Sequence, residues 1–227
     1  MLEVILFIIG IFLLIKGAGL LVDGASSLAA RMHVPIIVIG ITIVSLGTTT
    51  PELMVNIMAA LKGAPEVAFG NILGSNIANI LLILGITSLI YPIKVERTAV
   101  WKEIPMSLLA VVVLFIISNY VIIDKININS ITRVSGLILL CFFGIFIYYS
   151  IAVFKQNRKK LEKRDIKIKQ ISNLKITLLI IGGVIALFIG GKWSVDGAVF
   201  IAQYLGISQF LISATIIAVG TSLPELA

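Results

Sequence analysis

Charge is what this 227-residue chain has least of: 13% of its residues are Asp, Glu, Lys or Arg, while 59% are hydrophobic. A soluble globular domain carries roughly a quarter charged residues, so the chain is expected not to be one. Cysteine is nearly absent as well. The lone Cys141 leaves no partner for a disulfide within the chain, and its apolar surroundings predict a buried packing role. There is one histidine, His33, expected in a short loop with no special duty. No arrangement of nucleophile and base can be drawn from these residues, so no enzymatic activity and no cofactor are expected.

What fills the chain instead is long apolar runs. Spans are predicted near residues 2–30, 35–61, 66–91, 100–120, 132–154 and 175–204, with a seventh beginning near 208. About 20 such residues in a helix cross the roughly 30 Å of membrane hydrocarbon. The fold class read from them is an all-α integral membrane protein. The first run lacks a basic leading segment and continues towards Leu28, so it reads as a span and not as a signal peptide.

The net charge of +7 is unevenly spread, because nine of the eighteen Lys and Arg fall between Lys155 and Lys175. A basic loop of this kind stays in the cytoplasm and can meet anionic lipids; it calls for no nucleic acid, and no obligate protein partner is evident. Five spans precede it, which puts the N-terminus outside the cell.

The chain repeats itself. Shifted by 173 residues, GAGLLVDGASSLAA (17–30) lies over GGKWSVDGAVFIAQ (190–203), and ITIVSLGTTTPEL (41–53) over ATIIAVGTSLPEL (214–226). Across 14–54 against 187–227 there are 15 identities in 41 positions, Asp23/Asp196, Gly47/Gly220, Pro51/Pro224 and Glu52/Glu225 among them. Each unit holds five spans, so the second copy enters the membrane from the opposite side, an inverted-repeat transporter architecture of 5+5 helices with its site at the midplane. The division expected is 1–154 for the first repeat (its motif-bearing part 37–85), 155–174 for the basic loop, and 175–227 for the start of a second repeat that the chain does not complete.

Glu52 stands directly after Pro51 in VSLGTTTPELMVN. Pro51 removes a helix donor and its ring clashes with the Gly47 carbonyl, and hydrocarbon offers no water to replace the lost bond. Carbonyls around Ser45–Thr48 are therefore expected to lack partners, and a bound cation could satisfy them. The hydroxyls of Thr48 and Thr49 can share a face with the Glu52 carboxylate. An acidic side chain at a span centre costs about 2.5–3.5 kcal/mol even on a lenient scale, and the chain incurs this twice, at Glu52 and Glu225. An ordinary proline kink explains Pro51 but not the carboxylate. In the next span Asn71, Ser75 and Asn79 recur every four residues as one polar stripe, and Gly70 and Gly74 admit a neighbouring helix; gluing helices together is the alternative role for the stripe. Carboxylate, hydroxyl and carbonyl oxygens suit a hard cation such as Ca²⁺ or Na⁺. Asp23 and Asp196 are expected at helix ends or interfaces.

At these residues the sequence resembles the cation/calcium exchanger superfamily, whose two alpha repeats have the forms G-T-S-x-P-E and G-N-x-x-G-S-N. Here they read GTTTPE (47–52), GNILGSN (70–76) and GTSLPE (220–225), and the likeness is greatest to the prokaryotic sodium/calcium exchangers. The resemblance implies Ca²⁺ and Na⁺ as transported ions. It implies Glu52 and Glu225 bridging their sites, with Thr48, Thr49, Thr221 and Ser222 as hydroxyl ligands and Ser45 and Ala218 as carbonyl ligands. Ser75 would line a Na⁺ site and Asn79 the centre. Gly47, Pro51, Gly220 and Pro224 would break the two helices. Alternating access is implied, the first and sixth spans sliding on Gly17, Gly19, Gly190 and Gly191. A proton- or K⁺-coupled cation antiporter, a cation channel and a structural membrane protein are the other readings.

Overall fold

Long runs of Leu, Ile, Val and Ala leave the backbone no competing partner for its own N–H groups, and they wind into helices wherever the sequence allows. The computed structural model describes residues 2–32, 39, 43–95, 97, 99–119, 131–161 and 172–226. Helix α1 is Leu2–Arg31, α2 Ser45–Thr48, α3 Thr50–Leu61, α4 Pro65–Ile90, α5 Ala99–Ser118, α6 Arg133–Leu161, α7 Asn173–Leu205 and α8 Gln209–Thr221, followed by a 3₁₀ turn at Pro224–Leu226. Among the described residues there is no strand, and α1, α4, α5, α7 and the Arg133–Ala152 part of α6 are long and apolar enough to cross a membrane. This is the all-helical membrane fold expected. Helices α1, α4, α5 and α7 keep the expected boundaries to within two residues, and α6 runs on to Leu161. The start of the span expected at 35–61, His33 and residues 162–171 of the basic segment lie outside the described residues.

Two compact units form, 1–92 with 165–227, and 93–164. The second holds α5 and α6, which pack on each other. Cys141 lies on an exposed face of α6, not in a packed interior as expected. The apolarity that predicts burial in a soluble core only marks a lipid-compatible face here.

In the first unit, α1 and α7 lie against one another along most of their lengths. A methyl on Gly10 would stand 3.0 Å from the Gly190 carbonyl oxygen, and one on Gly17 would stand 3.0 Å from that of Gly183. Gly24 faces Ile180, and Gly197 faces Phe7. Positions rise along one helix as they fall along the other, so the two run antiparallel. Each contact is also the copy of another under the 173-residue shift. Leu14 and its counterpart Leu187 are fully buried at the middle of this seam. The inverted repeat is thus built into the packing, with small residues allowing the close backbone approach. Gly19, expected on the sliding face, has nothing within 4 Å, and Gly191 faces Met54 and Met58 of α3.

The connections follow local rules. Gly206 ends α7 with φ +65°, the left-handed geometry glycine adopts without strain, and the Ile207 N–H returns to the Ala202 carbonyl at 3.0 Å. Ser208 then caps α8, accepting from Leu211 N–H at 3.2 Å. Gly63, also at φ +65°, makes the corresponding turn between α3 and α4, where Pro65 opens the next helix.

Candidate functional site

Both proline motifs interrupt their helices in the same way. Thr49, at φ −81° and ψ −4°, separates α2 from α3; its counterpart Ser222, at φ −86° and ψ 2°, ends α8 before the Pro224–Leu226 turn. Each break follows a stretch of π-helix, at residues 43–44 and at Ser213–Ile217. Wide turns of this kind collect at functional sites because they loosen the carbonyl ladder.

Of the carbonyls before Pro51 expected to lack partners, those of Ser45 and Leu46 have them, with threonine hydroxyls as the donors. Thr48 Oγ1 and Thr49 Oγ1 both donate to the Ser45 carbonyl at 3.1 Å, and Thr50 Oγ1 donates to that of Leu46 at 2.8 Å. In the second copy Thr221 Oγ1 donates to the Ala218 carbonyl at 3.3 Å and Ser222 N–H reaches the same oxygen at 3.1 Å. Leu223 stands where Thr50 does and carries no hydroxyl.

The two motifs meet. Ser222 Oγ donates to Glu52 Oε1 at 3.4 Å, across 170 residues of sequence. Thr221 lies within reach of the Glu52 carboxylate, and Thr48 within reach of Glu225, each the repeat image of the other. Glu52 is 8% exposed, and Thr221 and Ser222 are fully buried. The π-helical part of α4, Ala78–Ile83, packs on the Pro224–Leu226 turn. Glu52 Oε2, Glu225 Oε2 and Asn79 Oδ1 are buried without a hydrogen-bond partner. Thr49 is more exposed than Thr48, and its hydroxyl is turned to Ser45.

Helix α4 holds this meeting point from one side. A methyl on Gly70 would come within 2.5 Å of the Phe210 carbonyl oxygen, and one on Gly74 would press on the Ala214 backbone and on Ala218. Ser213 Oγ donates to the Val67 carbonyl at 2.6 Å. The polar stripe expected on α4 faces inward, with Asn71 and Ser75 buried, while Asn76 is exposed and donates to its own helix at Ile72. Asn71 is more central than sequence reasoning made it. Its Nδ2 donates to the Glu52 carbonyl at 3.2 Å and to Asn56 Oδ1 at 2.9 Å, and its Oδ1 accepts from Ser75 at 3.5 Å and from Thr221 at 3.4 Å. The signal that could have found it was its place one turn before Ser75 on the stripe.

Other acidic residues stand apart. Asp196 lies nine residues before the end of α7, not at a helix terminus, and pairs with Lys62 just past α3, the one salt bridge among the described residues. Its counterpart Asp23 lies within α1. Among the described residues no three Cys, His, Asp or Glu cluster together.

Two inverted halves, each broken at Gly-Thr-x-x-Pro-Glu and meeting beside the buried Glu52 and the half-buried Glu225, define an inverted-repeat membrane transporter. The chain belongs to the sodium/calcium exchanger protein family, which it matches over residues 2–152 and 175–227. It is 36% identical over 98% of its length, and 69% of the relative's, to a protein named CaxA from Alkalimonas amylolytica. It is 29% identical to the sodium/calcium exchanger MaX1 of Methanosarcina acetivorans, covering 98% of this chain and 72% of that one. The solved sodium-calcium exchanger NCX_Mj, soaked with Na⁺ and Sr²⁺, superposes with a TM-score of 0.52 at 32% identity, over 99% of this chain and 70% of that one. The family is one of transporters, not enzymes.

Proposed function

We propose that the protein is a secondary antiporter that exchanges Ca²⁺ for Na⁺, in the direction of Ca²⁺ export, across a prokaryotic-type plasma membrane. One observation carries this reading: three buried acceptor oxygens, Glu52 Oε2 and Asn79 Oδ1 from the first repeat and Glu225 Oε2 from the second, have no hydrogen-bond partner. A buried acceptor without a partner is costly, and two carboxylates repel one another. A hard cation with an all-oxygen shell relieves both penalties at once. Glu52 and Glu225 then bridge neighbouring sites, with the hydroxyls of Thr48, Thr49, Thr221, Ser222 and Ser75 and the carbonyls of Ser45 and Ala218 completing the shell. Two carboxylates are neutralised by one Ca²⁺ or by two Na⁺, and competition for the same oxygens is what makes an exchanger. Access alternates as α1 and α7 slide together across the remaining helices, with the N-terminus outside and the basic segment in the cytoplasm.

Tracer Ca²⁺ uptake into proteoliposomes tests this, with an outward Na⁺ gradient imposed first and an outward proton gradient second. Na⁺-driven uptake that disappears in Glu52→Gln is the expected result. Uptake driven only by protons would move the protein to the proton-coupled antiporters, and uptake under neither gradient from folded protein would overturn the assignment.

A further inference from the structure

Asn71 touches both halves of the site and is absent from the ligand set just given. Its amide is fully engaged, both donors and both acceptor positions being used, and the residue is wholly buried. The donors go to the first motif: to the Glu52 carbonyl and to Asn56, one turn further along α3. The acceptor takes hydroxyls from two other directions, Ser75 one turn along α4 and Thr221 in the second motif.

The direction of those hydroxyl bonds matters. A hydroxyl has one proton and two lone pairs, and it can ligate a cation only when the proton points elsewhere. The Thr221 proton has three acceptors in reach: the Ala218 carbonyl at 3.3 Å, Asn71 Oδ1 at 3.4 Å, and the Glu52 carboxylate. Delivered to Glu52, it occupies the oxygens a cation needs. Delivered to Asn71, it leaves both the Thr221 lone pairs and the carboxylate free. The same holds for Ser75, whose proton goes to the same Oδ1.

We infer that Asn71 is a positioning residue for cation binding through its acceptor: Oδ1 draws the protons of Thr221 and Ser75 away from the ions, while the Nδ2 bonds hold α4 to α3. It contacts no ion itself. The inference rests on the exchange reading above. Partners one shell out from a metal are worth roughly 10–100-fold in metal affinity, so removing the amide should weaken Ca²⁺ and Na⁺ together.

The test uses three variants in the proteoliposome assay, with the melting temperature of each measured in ion-free buffer. Asn71→Leu keeps the size and loses the hydrogen bonds; half-saturating Ca²⁺ and Na⁺ should both rise tenfold or more. Combined with Thr221→Val, the effect on Ca²⁺ should be markedly less than the product of the two single effects, because both remove the same oriented hydroxyl. Asn71→Asp keeps the acceptor and loses the donors, so it should lower the melting temperature without raising half-saturating Ca²⁺. That split separates orientation from packing even if Asn71→Leu does not fold. Wild-type half-saturation in Asn71→Leu, or a loss in Asn71→Asp matching that in Asn71→Leu, would overturn the inference while wild-type exchange stands. Failure of the wild-type protein to exchange would overturn the functional reading instead.

Discussion

Gly17 lies against the carbonyl of Gly183, and the same contact is made again by their repeat counterparts, Gly190 against Gly10. The inverted repeat is therefore legible in single interatomic approaches, with Leu14 and Leu187 buried between the two pairs.

The tightness of that seam sets the first prediction. A methyl on Gly190 would stand 2.7 Å from the Gly10 carbonyl and 2.9 Å from the Leu14 nitrogen, backbone atoms that cannot turn aside. Gly190→Ala should lower stability by about 1–3 kcal/mol, the usual overpacking range, seen as a lower melting temperature in detergent. Gly19→Ala, with nothing within 4 Å, should not lower it.

Glu225→Gln should abolish at least nine-tenths of Na⁺-driven Ca²⁺ uptake, as Glu52→Gln should. Each change keeps shape and removes a charge, so the ion-free melting temperature should not fall; relieving the repulsion between the carboxylates should raise it. A fall in melting temperature with uptake intact would mean that these side chains serve packing.

Ser213→Ala removes a fully buried hydroxyl that joins the π-helical start of the second motif to the Val67 carbonyl. The loss should be on the order of 1 kcal/mol, read as a lower melting temperature with half-saturating Na⁺ and Ca²⁺ unchanged.

Lys62→Met breaks the pair with Asp196, whose side chains are 28% and 41% exposed. A pair so open to solvent contributes roughly 0–1 kcal/mol, and salt screens it. The stability difference from wild type should be under about 1 kcal/mol at low salt and should shrink at high salt.

Much of this could be read beforehand. Apolar run lengths marked the long helices, and the fixed shift between Asp-Gly and Gly-Thr-x-x-Pro-Glu pairs marked the inverted halves. Pro51 and Pro224 marked the breaks because a missing N–H acts locally. What escaped depends on tertiary contacts. Sequence could not show that Thr48, Thr49 and Thr50 would direct their hydroxyl protons onto Ser45 and Leu46, since a carbonyl one turn back competes with every other acceptor in reach. Nor could it show Asn71 reaching Thr221, 150 residues away. Cys141 misled because an apolar run in a membrane helix does not distinguish a neighbour-facing side from an outer one.

Gly47 packs on Val22 and Gly220 packs on Ile11, so both broken motifs rest on the same helix, α1, at points eleven residues or about 16 Å apart along its axis. Neither half of the protein has a private mechanical footing. For anyone seeking to arrest or tune the molecule, α1 is a single handle: a clamp, a cross-link or a bound ligand that fixes its axial position constrains two distant hinges in one act.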